Sequence, residues 1–90
     1  MAVYMITYRL TKSLLNYSLF FAELNKFEHC SETKSFWLVE TKDDVAVVRD
    51  RLATHLNISD SLFVFRVGKH WAARHFDCSQ WLSEPTRQWD

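Results

Sequence analysis

Glycine and proline are almost missing from this sequence, since its 90 residues include one of each. Flexible linkers and low-complexity segments need many more of these residues, so the composition predicts a single domain. No apolar run approaches the roughly 20 residues that cross a membrane. The first residues also lack the basic and apolar stretches of a secretion signal. These absences predict a soluble, cytoplasmic protein without a membrane partner.

An excess of charge of either sign is also missing. Lys and Arg together number 11, as do Asp and Glu, which gives a formal net charge of +0. A protein that binds nucleic acid by electrostatics alone is usually basic. The composition therefore argues against that class of protein, but it leaves a local basic patch open.

Cysteine is scarce, with only Cys30 and Cys78 in the chain. Small secreted domains that depend on disulfides carry a much higher density of cysteines at regular spacings. Two residues do not make such a framework. We therefore expect both to be free thiols in a reducing compartment, which agrees with a cytoplasmic location.

Three strand-like segments, in contrast, are apolar at consecutive positions: residues 3–6, 36–39 and 62–65. A strand with one face in water alternates apolar and polar residues, and these segments barely alternate. The sequence offers two helices to cover the resulting sheet, which is enough for one face. We therefore expect a second copy of the chain to cover the other face, so the pattern predicts a homodimer.

The order of these elements is typical of one fold. Apolar periodicity predicts strands over residues 2–8, 28–33, 35–40 and 61–67, and helices over 14–27 and 43–56. This order predicts an α+β protein, a ferredoxin-like βαββαβ sandwich with an antiparallel sheet and two helices on one face. Residues 1–68 would form this core. Residues 69–90 would be a C-terminal extension that packs on the core or on the partner protomer.

Several short segments of the chain resemble one known group of proteins. They are Met5-Ile6-Thr7-Tyr8, Phe36-Trp37-Leu38-Val39, Arg49-Asp50-Arg51-Leu52, Asp60-Ser61-Leu62-Phe63-Val64-Phe65 and the trailing Ser79-Gln80-Trp81-Leu82. Together they resemble the SinR-like and VapD-like relatives of the second CRISPR-associated protein family. The resemblance implies a ferredoxin-like fold, a symmetric cytoplasmic homodimer, a role in phage defence and an association with RNA or DNA. Some members of that family are metal-dependent endonucleases, and others hold DNA as a scaffold.

The sequence departs from that family at Arg9. Catalytic members carry an aspartate here, after a tyrosine, and two such aspartates of a dimer hold a divalent cation that assists cleavage. In this chain the step is Tyr8-Arg9, and arginine repels a cation. The resemblance therefore implies a degenerate metal-nuclease site without a cofactor, and Mg or Mn enters only if the chain is a nuclease. Arg9 is then either a phosphate contact or a solvated charge at a strand end.

Four basic residues are candidates for contacts with nucleic acid: Arg9, Lys12, Lys69 and Arg74. Cations beside an aromatic ring such as Trp71 suit single-stranded nucleic acid. Trp71 is equally suited to a dimer interface, where aromatic residues are common. The aromatic candidates for that interface are Tyr4, Tyr8, Trp37, Phe65, Trp71 and Trp81.

Other side chains with chemical potential have simpler explanations. Four metal-capable residues lie close together near the C-terminus: His70, His75, Asp77 and Cys78. Their spacing matches no zinc pattern, so we expect no metal site. His29 and Cys30 are neighbours on a strand and point to opposite faces, so they do not form a base–nucleophile pair. The acidic pair Asp43 and Asp44 is explained by capping of the second helix.

The sequence thus favours a homodimeric binding protein, with nucleic acid or a protein as its partner, over an enzyme. Two alternatives stay open. One is an active endoribonuclease, toxin-like or CRISPR-associated, whose site is relocated or works without metal through the RNA 2′-hydroxyl. RNA is the better substrate candidate than DNA in that case. The other alternative is a purely structural or regulatory assembly module.

Overall fold

Four antiparallel strands form the centre of the computed structural model, which describes residues 1–33 and 36–89. The strands are β1 (Ala2–Arg9), β2 (Glu28–Thr33), β3 (Phe36–Thr41) and β4 (Ser61–Val67). Their order across the sheet is β2-β3-β1-β4, so β1 and β3 lie inside and the other two form the edges. This confirms the predicted α+β class with an antiparallel sheet. Ser35, the predicted start of the third strand, and Asp90, the end of the predicted extension, lie outside the described residues.

Both predicted helices are shorter in the structure. The first begins as a 3-10 turn over Leu14–Tyr17, and α1 then runs over Ser18–Asn25. The second helix, α2 (Val45–Ala53), begins two residues later than predicted, because the Asp44 carboxylate caps it and accepts a hydrogen bond from the Ala46 N–H at 3.3 Å. Among the described residues, no helix combines the length and hydropathy needed to cross a bilayer.

The core beneath the helices is apolar and rich in aromatic rings. It is formed by alternate residues of β1 and β3 and by buried residues of both helices: Tyr4, Ile6, Trp37, Val39, Phe20, Leu24, Val48 and Leu52. Because successive residues of a strand point to opposite faces, this core uses one face of the sheet. Both α1 and α2 therefore pack against that same face.

The opposite face of the sheet is covered by the chain's own C-terminal segment, residues 69–89. Val3 and Leu38 are buried there against Trp81 and Leu82 of a one-turn helix, α3 (Ser79–Leu82). The sequence predicts that a second copy of the chain covers the apolar residues of this face. Val3 and Leu38 need no second copy, because the C-terminal segment buries both within one protomer.

The expectation of free thiols is wrong, because Cys30 and Cys78 form a disulfide with an S–S distance of 2.05 Å. Cys30 lies in β2 opposite Leu38 of β3, and Cys78 is fully buried just before α3. The two residues are 48 positions apart, so nothing in the local sequence marks them as partners. Disulfides persist mainly in oxidising compartments, so the cytoplasmic location loses the support of free thiols and stays a prediction.

Arg87, near the end of the C-terminal segment, is buried and bonds this segment to the sheet. The Arg87 side chain is 2% exposed and donates to the Glu40 carboxylate of β3 at 3.0 Å and to Glu84 at 3.3 Å. Its guanidinium lies over the Trp81 ring, 3.6 Å from the centroid. The Trp81 indole N–H in turn donates to Glu28 of β2 at 2.8 Å. The charge of Arg87 is therefore both paired and stacked, as a buried arginine requires.

Asp60, just before β4, forms hydrogen bonds that connect the start of this strand to the loop after β1. The Asp60 carboxylate accepts hydrogen bonds from the Thr11 N–H, the Tyr17 hydroxyl and the Asn57 N–H at 2.8–2.9 Å. Partial desolvation raises the pKa of this carboxyl, but the hydrogen bonds from Thr11, Asn57 and Tyr17 outweigh it and hold the pKa well below its usual range. The charged form of Asp60 therefore stabilises the folded state.

We expect Asp60→Asn to lower the melting temperature at about pH 7 and to lower it by a smaller amount at about pH 3. A lowered folded-state pKa gives stability that is complete above the unfolded pKa of about 3.9 and is lost as the pH falls towards the folded value. Thermal melts of wild type and variant at about pH 7 and about pH 3 test this. The matched control is Asp50→Asn, because Asp50 is 70% exposed on α2. A difference between wild type and Asp60→Asn that stays constant down to the lower pH would contradict the assignment.

Candidate binding edge at strand β4

Strand β4 is an edge of the sheet. It pairs with β1 along its whole length, from Ser61 opposite Arg9 to Val67 opposite Val3, and no other strand within residues 1–33 and 36–89 pairs with it. Its outer edge therefore offers backbone N–H and C=O groups to a further strand. Natural proteins protect such edges with proline, bulges or several charges. β4 has no proline and no shift of register, and Arg66 is its one charged residue.

Two aromatic rings project from this edge strand. Phe63 is 60% exposed and Phe65 is 37% exposed, and their ring centroids lie 5.0 Å apart. Residues two apart on a strand share a face, so both rings stand on the face opposite the helices. A protein gains little by leaving two phenylalanines together in water, and such exposed apolar clusters commonly mark interaction sites.

An apolar groove of about 410 Å³ continues from Phe65 across the same face. Its floor is formed by residues of β1, β3 and β4, and its far wall is the part of the C-terminal segment around residues 71–76. Arg74 also lines the groove, so a cation borders an otherwise apolar surface. We call the outer edge of β4, the two phenylalanine rings and this groove the β4 edge site.

The four basic residues predicted to contact nucleic acid do not form one patch. Arg9 lies at one end of β1, with Lys12 just beyond it, and Lys69 follows β4 at the opposite end of the sheet. The length of β1 between these ends is about 20 Å. All four side chains are exposed, and of the four only Arg74 lines the groove that contains Phe65.

Three of the six aromatic residues predicted for a dimer interface are buried within the protomer. Tyr4 and Trp37 lie in the core beneath the helices, and Trp81 lies beneath the Arg87 guanidinium. Their burial supports the fold of a single protomer and leaves no surface for a partner.

The other three lie in different surroundings. Tyr8 is half-buried against α1, and its hydroxyl accepts a hydrogen bond from the Trp37 indole at 3.0 Å. Burial raises the pKa of Tyr8, and the bond from Trp37 opposes that rise. Trp71 is half-buried on the groove, and Phe65 is at the β4 edge site. The sequence reasoning missed Phe63, although its spacing of two from Phe65 puts the two rings on one face.

Four of the residues considered for metal binding or catalysis have other contacts in the structure: Cys30, Cys78, His29 and Asp43. Cys30 and Cys78 are joined to each other, so neither acts as a nucleophile or a thiolate ligand while the disulfide holds. His29 Nδ1 lies 2.8 Å from the Phe27 carbonyl oxygen. Within the described part of the chain, no three His, Cys, Asp or Glu side chains converge on a possible metal position. Asp43 precedes α2 and accepts a hydrogen bond from Arg51 at 2.9 Å.

The β4 edge site combines an edge strand without proline or bulge, two exposed aromatic rings and an adjoining apolar groove. No protein-family model matches the chain, and comparisons with curated proteins and with solved structures find no match.

Proposed function

We propose that this protein is a binding module that accepts a strand of a partner protein along the outer edge of β4. The observation that carries this proposal is the exposure of Phe63 and Phe65 on an edge strand that has no proline, no bulge and a single charged residue. Strand addition of this kind draws affinity from main-chain hydrogen bonds and specificity from pockets for alternate side chains. The outer edge of β4 offers the main-chain groups, and the two exposed rings with the adjoining groove offer apolar contacts on one face.

The energetics favour the same surface. Full burial of a phenylalanine side chain contributes about 1.5–3 kcal/mol. With 60% and 37% of their surface exposed, Phe63 and Phe65 together offer about one such contribution. The ring pair sits at the centre of the edge, where residues that dominate binding usually lie. The groove extends the apolar contact towards Trp71 and Phe76.

The fold we propose for this module is the ferredoxin-like sandwich. In its support, β3 is inserted between β1 and β2, and β1 between β3 and β4, as two interleaved β-α-β units require. The strand order read from the other edge is β4-β1-β3-β2. We also propose a relationship to the SinR-like and VapD-like group, with its cytoplasmic location and role in phage defence. In that setting Arg9, which is exposed at the end of β1, replaces the catalytic aspartate.

A second candidate function is the binding of single-stranded nucleic acid at the same surface. The observation that favours it is that Arg74 and Phe65 line one groove, because rings that stack on bases work together with cations that contact phosphates. The two functions differ in their response to salt. Affinity for nucleic acid falls steeply as salt rises, whereas strand addition between apolar surfaces does not.

Peptide selection tests the proposal directly. We expect short extended peptides selected from a phage-displayed library on the wild-type protein to slow hydrogen exchange of β4 amides. The double variant Phe63→Ser/Phe65→Ser should bind the same peptides at least about tenfold more weakly, because it removes the central rings.

The matched control for this experiment is Leu15→Ser, since Leu15 is 90% exposed on the 3-10 turn, outside the β4 edge site. Control and wild type should bind the peptides equally. Peptides that bind the double variant as tightly as wild type, or that protect amides elsewhere, would rule out the β4 edge as the site. Binding of oligonucleotides rather than peptides, with a steep salt dependence, would favour the second function.

A further inference from the structure

The two phenylalanines of β4 are placed symmetrically about its middle residue. Val64 is the centre of Ser61–Val67, and Phe63 and Phe65 stand one position to either side of it. If two copies of β4 pair antiparallel about a two-fold axis through Val64, Phe63 of each copy lies opposite Phe65 of the other. A symmetric interface requires this kind of self-matching surface, in which residue i meets residue j and j meets i.

The arrangement places four phenylalanine rings in one cluster across the seam. Cross-strand aromatic pairs stabilise antiparallel sheets, and their Cβ atoms lie about 4.5–5.5 Å apart. Within one copy the two rings are already 5.0 Å apart, so each ring would gain neighbours from the second copy without leaving its strand face. Phe63 and Phe65 are 60% and 37% exposed, and the cluster would remove part of that surface from water.

Other registers fit less well. If one copy of β4 slides by one residue along the other, each residue is paired with a residue whose side chain belongs to the opposite face, because side chains alternate along a strand. The helix-covered face of one copy then lies on the same side of the joined sheet as the groove face of the other. A shift of the axis from Val64 to Arg66 places two arginines directly opposite each other, and like charges in that position are destabilising. A shift towards Leu62 leaves Phe65 opposite the polar loop before β4. The register about Val64 alone pairs the full length of Ser61–Val67 and both rings of each copy.

Charge does not oppose this association. The formal net charge of the chain is +0, so two copies do not repel each other as wholes. In the Val64 register, Arg66 lies opposite Leu62 of the second copy. The two Arg66 residues are then about 13 Å apart along the strands, beyond the screening length of about 8 Å at physiological salt.

We infer that the partner strand is β4 of a second copy of this chain, paired about a two-fold axis at Val64. This inference rests on the proposed strand addition at the β4 edge, and it names the partner. The two sheets then form one continuous antiparallel sheet, with the helices of both copies on one side and the two grooves meeting at the phenylalanine cluster.

Single-cysteine variants read out the register. At the two-fold axis, residue 64 of one copy lies opposite residue 64 of the other copy. Oxidation of Val64→Cys should therefore yield a covalent dimer on a non-reducing gel. The matched control is Leu62→Cys, whose thiols lie about 13 Å apart in this register and should not cross-link. The native disulfide between Cys30 and Cys78 is present in both variants, so Leu62→Cys also controls for exchange of the new thiol with it. Cross-linking through residue 62 in preference to residue 64 would overturn the register.

Sedimentation of the wild-type chain at micromolar concentration tests the association itself. We expect a dimer that Phe63→Ser/Phe65→Ser weakens by at least about tenfold and that Leu15→Ser leaves unchanged. A monomeric wild-type protein that still binds selected peptides along β4 would overturn the second copy as partner and leave strand addition standing. A monomer that binds no peptide along β4 would overturn both.

Discussion

Replacement of Arg87 by alanine is expected to lower the free energy of unfolding by about 3–5 kcal/mol, because it leaves a buried carboxylate without its partner. Glu40 is 9% exposed, and the Arg87 guanidinium contacts it at 3.0 Å. The Gln88 N–H also donates to this carboxylate at 2.7 Å, but a neutral donor does not offset the charge. The substitution also removes the cation that lies over the Trp81 ring. Urea titration followed by tryptophan fluorescence measures the loss.

The control for Arg87→Ala is Arg49→Ala. Arg49 pairs with Asp50 at the same distance of 3.0 Å, but the two side chains are 59% and 70% exposed. Exposed pairs contribute about 0–1 kcal/mol, so this variant should resemble wild type. The double variant Glu40→Gln/Arg87→Met should recover part of the stability, since it removes both charges together. Equal losses for Arg87→Ala and Arg49→Ala would show that the burial of Arg87 contributes nothing.

Loss of the disulfide is the second large effect that we expect. The bond between Cys30 and Cys78 spans 48 positions, and the chain-entropy account of such a loop gives about 4 kcal/mol. The double variant Cys30→Ala/Cys78→Ala should therefore unfold at a much lower urea concentration than wild type. The bond joins β2 to the residue before α3, so its loss weakens the cover on the groove face most directly.

Chemical reduction of the disulfide distinguishes the contribution of the bond to stability from that of the two cysteine side chains. Wild type treated with a dithiol reductant should become about as unstable as the double alanine variant in the oxidised state. The variant itself should not respond to the reductant, because it has no sulfur–sulfur bond to lose. A wild-type protein whose midpoint of unfolding is the same with and without reductant would contradict the predicted contribution of the bond.

The order of strands and helices could be predicted from the sequence because hydrophobic periodicity is a local signal. The four strands lie within one residue of their predicted bounds, and α2 (Val45–Ala53) lies inside the predicted range 43–56, with its start set by the cap at Asp44. Which residues cover the second face is not a local property. Trp71, Phe76 and Trp81 are too apolar for a solvated tail, yet their sequence does not say which copy they pack on.

Arg87 and the cysteine pair show why the rest of the architecture was not predictable. A charged residue near the end of a chain is usually exposed, and only the tertiary position of Glu40 makes a buried Arg87 possible. Two cysteines 48 residues apart likewise become partners only when the sheet and the C-terminal segment have met. At the candidate site, the sequence predicts Phe65 at a dimer interface but does not mark Phe63, because an apolar pattern does not show which of its residues stay exposed.

The interior strand β3 has consequences for how this sequence can change over time. Trp37 and Val39 face the helices, Leu38 faces the C-terminal segment, and Glu40 holds Arg87. All of them, with Thr41, are at least nine-tenths buried. A strand with one wet face can drift neutrally at every second position, whereas this stretch has no such tolerant sites. Mutational drift among sequences that share this arrangement should therefore concentrate in the loops and leave β3 nearly fixed.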